Sequence, residues 1–238
     1  MIQFYAPDIE TTLTLPESDS QHCVKVLRKM PGDIIEVIDG KGNRFTCRLT
    51  EAHQKRAKVE IIDKMSLPLF WQNRIAIGIA PTKHLDRMEW LTEKLTEIGI
   101  NSITPLLCRY SERKEIKSER LEKIAISAMK QSLKAVCPRV DDMTPIKSFI
   151  ASVKGYDQKF IAHCDDRFER KLLCREYQPG KDVAILIGPE GDFSPEEIEY
   201  AVSEGFVPES LGEARLRTET AALVACDTCH ILNAAGNF

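Results

Sequence analysis

Nowhere in this chain do about 20 apolar residues run together, so no membrane-crossing helix is expected. The stretch Met1–Asp8 lacks a basic segment followed by an apolar one, so no secretory leader is expected. No Gly-x-Gly-x-x-Gly follows a strand-like run, and no Gly-Lys-Ser/Thr occurs. A Rossmann-type dinucleotide site and a P-loop are therefore not indicated. Internal repeats and low-complexity segments are missing as well. The eight cysteines are scattered, and only Cys226-Asp-Thr-Cys229-His230 looks like a metal or redox motif. A structural zinc site needs about four ligands, and no second cysteine pair stands at suitable spacing. No metal is expected, and the cysteines read as reduced thiols of a cytoplasmic protein. An overall positive charge is absent too, since the net charge is −3.

What is present begins with a local charge imbalance. Residues 106–139 carry nine Lys/Arg and four Asp/Glu, net +5, whereas residues 140–238 carry ten and eighteen, net −8. The basic stretch reads either as a phosphate-facing surface or as a solvated helix face. A hydrophobic content of 43% over 238 residues is enough for one large core or two smaller ones.

Residues 1–70 form a small β-rich domain by pattern. Ile2–Tyr5 and Thr12–Leu15 are short strand candidates. A helix starting at Ser18 or Asp19 carries His22, Val26 and Leu27 and ends near Pro31-Gly32. Ile34–Ile38, Gly40–Asn43 and Arg44–Thr50 signal a hairpin, and Arg56–Ile62 alternates as a half-exposed strand does. Leu67-Pro68 marks the boundary. From there strands and helices alternate: Arg74–Ala80, a helix over Leu85–Ile98 stopped by Gly99, Ser102–Leu107, a helix from Ser118 through Leu133, and a strand over Lys159–His163. That order argues an α/β domain over 71–238 with a largely parallel sheet.

Its last third is the most informative. The apolar run Val183–Ile187 breaks at Gly188-Pro189-Glu190-Gly191. Ser194-Pro195-Glu196-Glu197 then carries a capping-box signature, with Phe193 and Ile198 placed as a hydrophobic staple. A second apolar segment, Phe206–Leu211, ends at Gly212, and a polar loop Glu213–Arg217 leads into a helix from Thr218 through Leu232. Two strand ends thus deliver glycine-bearing loops next to helix starts, where open α/β sheets bind ligands. Taken singly each loop reads as an ordinary turn; together, with Glu190, Arg217 and Glu219, they read as a site.

The pair Gly188-Pro189-Glu190-Gly191 and Leu211-Gly212 with Leu216-Arg217-Thr218-Glu219-Thr220-Ala221 resembles the SPOUT class of RNA methyltransferases, and within it the RsmE type, which methylates uridine N3 in small-subunit (16S) ribosomal RNA. Lys83, Met88-Glu89-Trp90, Lys94, Glu97-Ile98-Gly99, Pro105 and Gln131-Ser132 follow the same pattern. His22-Cys-Val-Lys-Val-Leu-Arg28 with Gly32-Asp33 and Asp39-Gly40 resembles that family's N-terminal PUA-like domain. Lys134 stands where the family more often has Arg, Asp192 where it has a second glycine, and Ala214-Arg215 where it has Arg-Ile.

The resemblance implies a trefoil-knotted SPOUT methyltransferase domain preceded by a small β-rich PUA-like barrel. It implies S-adenosyl-L-methionine held by Leu186, Ile187, Gly188, Glu190, Gly191, Leu211, Gly212, Leu216, Arg217 and Thr218, in a homodimer. It also implies ribosomal RNA, free or in the assembled 30S subunit, held by His22, Lys25, Arg28, Lys83 and Arg109. Lys29, Arg44 and Arg48 are further phosphate candidates. The chemistry asked is to hold uracil N3 in line with the methyl group, help remove its proton and stabilise the resulting anion. Arg217 suits the anion or a phosphate, and as a permanently charged group it is no base. Glu190 and Glu219 are the base candidates. Glu219 also reads as a charge favoured at a helix start, and His22 as a helix residue bonded to a neighbour. Three alternatives stay open: a non-catalytic RNA-binding protein of this fold, a SPOUT methyltransferase of another RNA, and a small-molecule α/β enzyme.

Overall fold

The structure is a computed structural model that describes residues 2–236. The chain falls into two compact units. One gathers the residues up to Phe70 with Ile126–Cys137; the other gathers Trp71–Ala125 with the chain from Pro138 on.

The first unit contains β1 (Gln3–Tyr5), α1 (Ile9–Thr12), α2 (Glu17–Gln21), β2 (Ile34–Ile38), β3 (Asn43–Glu51) and β4 (Lys58–Ser66). Its sheet runs β1-β2-β3-β4, parallel between β1 and β2 and antiparallel thereafter. Phe4, Ile9, Val37, Phe45 and Leu49 fill its core. The expected β2–β3 hairpin forms because Asp39 ties its turn. One carboxylate oxygen accepts the N–H groups of Lys41 and Asn43 at 2.7 and 3.0 Å, and the other accepts the Asn43 amide at 2.6 Å.

Two local expectations are corrected. Thr12–Leu15 is not a strand of its own: the Thr11 and Thr12 hydroxyls both bond to Asp8 O, which favours a helical turn that stops at Leu13 (φ 49°). Only the Leu13–Leu15 backbone then pairs along the start of β4, with Thr14 opposite Lys58. The helix expected to reach Pro31-Gly32 ends sooner. After α2 the backbone widens into a π-type turn, His22–Val26, and Arg28 adopts a left-handed φ of 54°.

The second unit contains β5 (Ile75–Ile79), α3 (Leu85–Ile98), β6 (Ser102–Leu107), the start of α4 (Ser118–Gln131), β7 (Arg139–Val140), β8 (Thr144–Pro145), α5 (Ile146–Ser152), β9 (Gln158–Ala162), β10 (Lys171–Leu172), α6 (Leu173–Glu176), β11 (Val183–Ile187), α7 (Pro195–Ser203), β12 (Val207–Ser210) and α8 (Thr218–Ala235). The strand order is β10-β12-β9-β11-β5-β6-β7, with β8 also on β6, and every pairing is parallel. Strands β5 and β11 are buried throughout, as their uninterrupted apolar residues require of central strands covered on both faces. Helix α3 buries Met88, Leu91 and Leu95 on one stripe and ends at Gly99, whose N–H caps Leu95 O. A φ of 131° and a Trp71 ring 2.7 Å from any added Cβ leave room there for glycine alone.

Helix α8 returns to pack on α3, β5 and β11. Cys226-Asp-Thr-Cys229-His230 does its work in this packing. The Cys226 thiol and the His230 Nε2 both reach Gly99 O, at 3.3 and 2.8 Å. Burial pushes both cysteine thiols of this motif upward, so they stay protonated. Among the described residues no group of three or more His, Cys, Asp or Glu side chains could hold a metal. None of the described helices is long and apolar enough to cross a membrane.

Candidate active site at the carboxyl edge of the sheet

Parallel strands end on a common side. Ile187 lies in register with Ile79 and Ala162, and Glu209 with Ala162. The loops that follow β5, β6, β9, β11 and β12 therefore leave the sheet at one edge, the place where such sheets bind ligands.

The β11 loop is held from both ends. Ser194 and Glu197 form the expected capping box, with Glu197 N–H on Ser194 Oγ at 3.3 Å and Ser194 N–H on Glu197 Oε2 at 2.9 Å. Phe193 and Ile198 are both buried in one cluster, as the staple requires. Asp192 takes a left-handed φ of 67°, a conformation Asp tolerates better than most residues. Its carboxylate accepts Cys164 N–H at 2.7 Å and Phe193 N–H at 2.8 Å, so it braces the loop to the chain leaving β9. A second glycine at this position would form neither bond.

Glu190 is exposed, and its Oε1 accepts Lys83 N–H from the β5 loop at 3.1 Å. Arg113 in turn donates to Lys83 O at 2.7 Å. The other oxygen of the capping-box carboxylate, Glu197 Oε1, accepts Arg109 N–H at 2.8 Å. The β5, β6 and β11 loops are thus woven together, with an open depression of about 510 Å³ lined by Lys83 and Glu112–Glu115. Cys108, beside this weave, is no nucleophile, because burial pushes its thiol up to about 12. His163, just past β9, is buried, which lowers its imidazole and favours the neutral form.

The β12 loop leads to α8. Leu211 and Leu216 are half-buried, Gly212 and Arg217 are exposed, and Thr218 and Glu219 are buried. Arg217 is the N-cap residue of α8 but makes no side-chain capping bond, and among the described residues its guanidinium has no hydrogen-bond or ion-pair partner. Glu219 lies 3.6 Å from Arg87 Nε through Oε1, while its buried Oε2 has no hydrogen-bond partner among the described residues. Leu186, Ile187 and Gly188 are buried at the end of β11, against which α8 packs.

Of the sequence-predicted residues, the structure joins Glu190 to Lys83 directly and sets Arg109 in the same weave. His22, Lys25 and Arg28 lie in the first unit. His22 is half-buried and meets the Phe4 ring edge-on at 5.8 Å; Lys25 and Arg28 are exposed. Sequence reading missed Arg87, Tyr110, Arg113 and the bracing role of Asp192. Nothing in spacing pairs residue 87 with residue 219, and only the departure from glycine at 192 hinted at a local role.

The profile of an RNA methyltransferase domain matches residues 71–230, and that of an RNA methyltransferase PUA domain matches residues 15–62. The chain is 30% identical to the ribosomal RNA small subunit methyltransferase E of Buchnera aphidicola subsp. Acyrthosiphon pisum, over 92% of this chain and 87% of that protein. It belongs to the ribosomal RNA small subunit methyltransferase E family. A probable rRNA methyltransferase from Porphyromonas gingivalis superposes with a TM-score of 0.94 at 47% identity, covering 99% of this chain and all of that one. The Neisseria gonorrhoeae member, solved bound to S-adenosyl methionine, superposes at 0.85 with 27% identity over 98% of each chain. The fold of this chain is that of the methyltransferase E family, an α/β methyltransferase domain preceded by a small β-rich PUA-type one.

Proposed function

We propose that this chain transfers the methyl group of S-adenosylmethionine to N3 of one uridine in small-subunit ribosomal RNA. Membership of the methyltransferase E family supports the reaction class. The observation that carries the reading to a site is the convergence of the β11 and β12 loops on one sheet edge, where, at the start of α8, the Arg217 guanidinium and Glu219 Oε2 have no partner among the described residues.

The residues there fit the cofactor. Leu186 and Ile187 supply apolar walls. The uncapped start of α8 leaves first-turn N–H groups for a polar ligand. A Cβ added at Gly212 would meet nothing within 4 Å, so that loop has open space beside it. When bound, the cofactor supplies a methyl group made electrophilic by its sulfonium.

The chain's own side chains do the rest. Arg217 faces the charge that spreads onto the uracil oxygens once N3 loses its proton. Glu219 is the group that takes the N3–H, directly or through water, with Arg87 beside its Oε1 at 3.6 Å. Glu190 serves the loops by fixing Lys83. Residues 1–70 hold RNA and residues 71–238 carry out the transfer, in a cytoplasmic homodimer acting on the assembled 30S subunit or its RNA.

The test is methyl transfer from labelled S-adenosylmethionine to small subunits carrying unmodified RNA and, separately, to naked RNA, followed by nucleoside analysis. N3-methyluridine is expected. Arg217→Ala and Glu219→Gln should each lower the rate by about 10²–10³-fold. Label on another base or on ribose would overturn the assignment.

A further inference from the structure

Tyr110 stands at the edge of the candidate site and has no part in the roles assigned above. It lies in the loop after β6, 48% exposed. The loop beneath it is fixed on both sides. Arg109 N–H bonds to Glu197 at 2.8 Å, Cys108 N–H bonds to the Ser111 hydroxyl at 3.0 Å, and Ser111 N–H bonds to Cys108 O at 3.2 Å. A Cβ on Gly191 would lie 3.4 Å from the Tyr110 Cβ, so this residue rests against the Gly188–Gly191 loop. An aromatic ring on a bonded loop, open to solvent beside the Gly188–Gly191 loop, is poorly accounted for as core.

We propose that Tyr110 is the platform on which the acceptor base stacks when it leaves its RNA helix. This rests on the functional reading above and adds a substrate-positioning residue to it. A base attacked at a ring nitrogen has to be drawn out of its stack, and aromatic side chains replace the neighbours it loses. Stacking also fixes the ring plane, which in-line transfer to N3 needs. The surroundings favour the RNA base over the cofactor's adenine. Exposed Lys83, Arg109 and Lys114 share these loops with Tyr110 and suit flanking phosphates, whereas the apolar cofactor walls Leu186 and Ile187 are buried. Gly191 matters here as well: its missing side chain keeps the Tyr110 flank clear.

The experiment has two arms. In the first, the full-length protein is irradiated with small-subunit ribosomal RNA transcribed with 4-thiouridine, and cross-linked peptides are identified by mass spectrometry. A cross-link at Tyr110 is expected. In the second, steady-state methyl transfer and S-adenosylmethionine affinity are measured for Tyr110→Phe and Tyr110→Ala. Tyr110→Phe keeps the ring and should stay near wild type. Tyr110→Ala should lower kcat/KM for RNA by about 5- to 150-fold, the range for one base–aromatic stack, with cofactor affinity unchanged. Normal turnover by Tyr110→Ala without a cross-link at Tyr110 would overturn the platform while leaving the proposed reaction standing. Weakened cofactor binding by Tyr110→Ala would overturn it in favour of adenine stacking. A Tyr110 cross-link in a wild-type protein that methylates nothing would uphold the platform and sink the proposed reaction.

Discussion

Glu209 illustrates how one buried side chain can make stability depend on pH. It sits on β12 with 1% of its surface exposed, and neither carboxylate oxygen has a partner among the described residues. Burial alone pushes its carboxyl up to about 8 from an ordinary 4.5. Below 4.5 both folded and unfolded chains are protonated. Between 4.5 and 8 the unfolded chain releases the proton while the folded protein keeps it. Stability therefore falls as pH rises through that window, on the order of 1 kcal/mol per pH unit, and levels off above it. Glu209→Gln keeps the shape and removes the titration. Thermal unfolding followed from pH 5 to 9 should show a declining melting temperature for the wild type and a flatter profile for the variant. Parallel profiles would show that the carboxyl is not buried in the folded protein. Nothing in Val207-Pro-Glu-Ser210 announced this. Alternation along a strand places residue 209 on one face, but only the packing of the surrounding sheet decides that this face is closed.

Elements were legible where local signals agreed with tertiary ones. Helix α3 and strands β6 and β11 match the sequence reading end to end, because an apolar stripe, a glycine stop and short bounded apolar runs all point one way. Thr12–Leu15 misled because alternation favoured a strand while the Asp8 carbonyl offered the threonine hydroxyls a helical turn. The capping box of α7 was legible from Ser194 and Glu197, but the second task of Glu197 was not, since its partner Arg109 lies 88 positions away. This gives an ordering. Ser194→Ala removes one cap and should cost about 0.5–2 kcal/mol. Glu197→Ala removes the bond to Ser194 N–H and also frees the loop bearing Arg109 and Tyr110, so it should cost more and slow methyl transfer besides. Denaturant unfolding and kinetics of both variants test this. Equal costs with unchanged turnover would show that the Arg109 bond contributes nothing.

At the scale of the molecule, the grouping of residues rests on contacts between distant stretches of chain. Leu67-Pro68 signalled a boundary, but Ile126–Cys137 joins the first unit through contacts local pattern cannot encode. Gly42 N–H bonds to Ala135 O, Cys137 N–H to Gly40 O, and Ile38 packs with Met129 and Ala135. Charge was readable as a sum but not as a surface. Among the basic residues of 106–139, Arg120 pairs with Glu89, Lys130 with Asp19 and Arg139 with Asp141, while Arg113 serves backbone carbonyls. Arg109, Lys114, Lys117 and Lys123 have no ion-pair partner among the described residues, and all four are exposed. A protein of net charge −3 binding a polyanion must rely on such unpaired cations, and each phosphate they meet releases counterions. RNA affinity should therefore fall steeply with salt. Lys114→Gln with Lys117→Gln should flatten the log–log slope by roughly 0.7 per lost single-strand contact, whereas Arg120→Gln, whose charge is already spent on Glu89, should change it little. Filter binding across a salt series reads this directly. A slope unmoved by the double variant would mean that these lysines are solvated without meeting phosphate and that the RNA lies elsewhere.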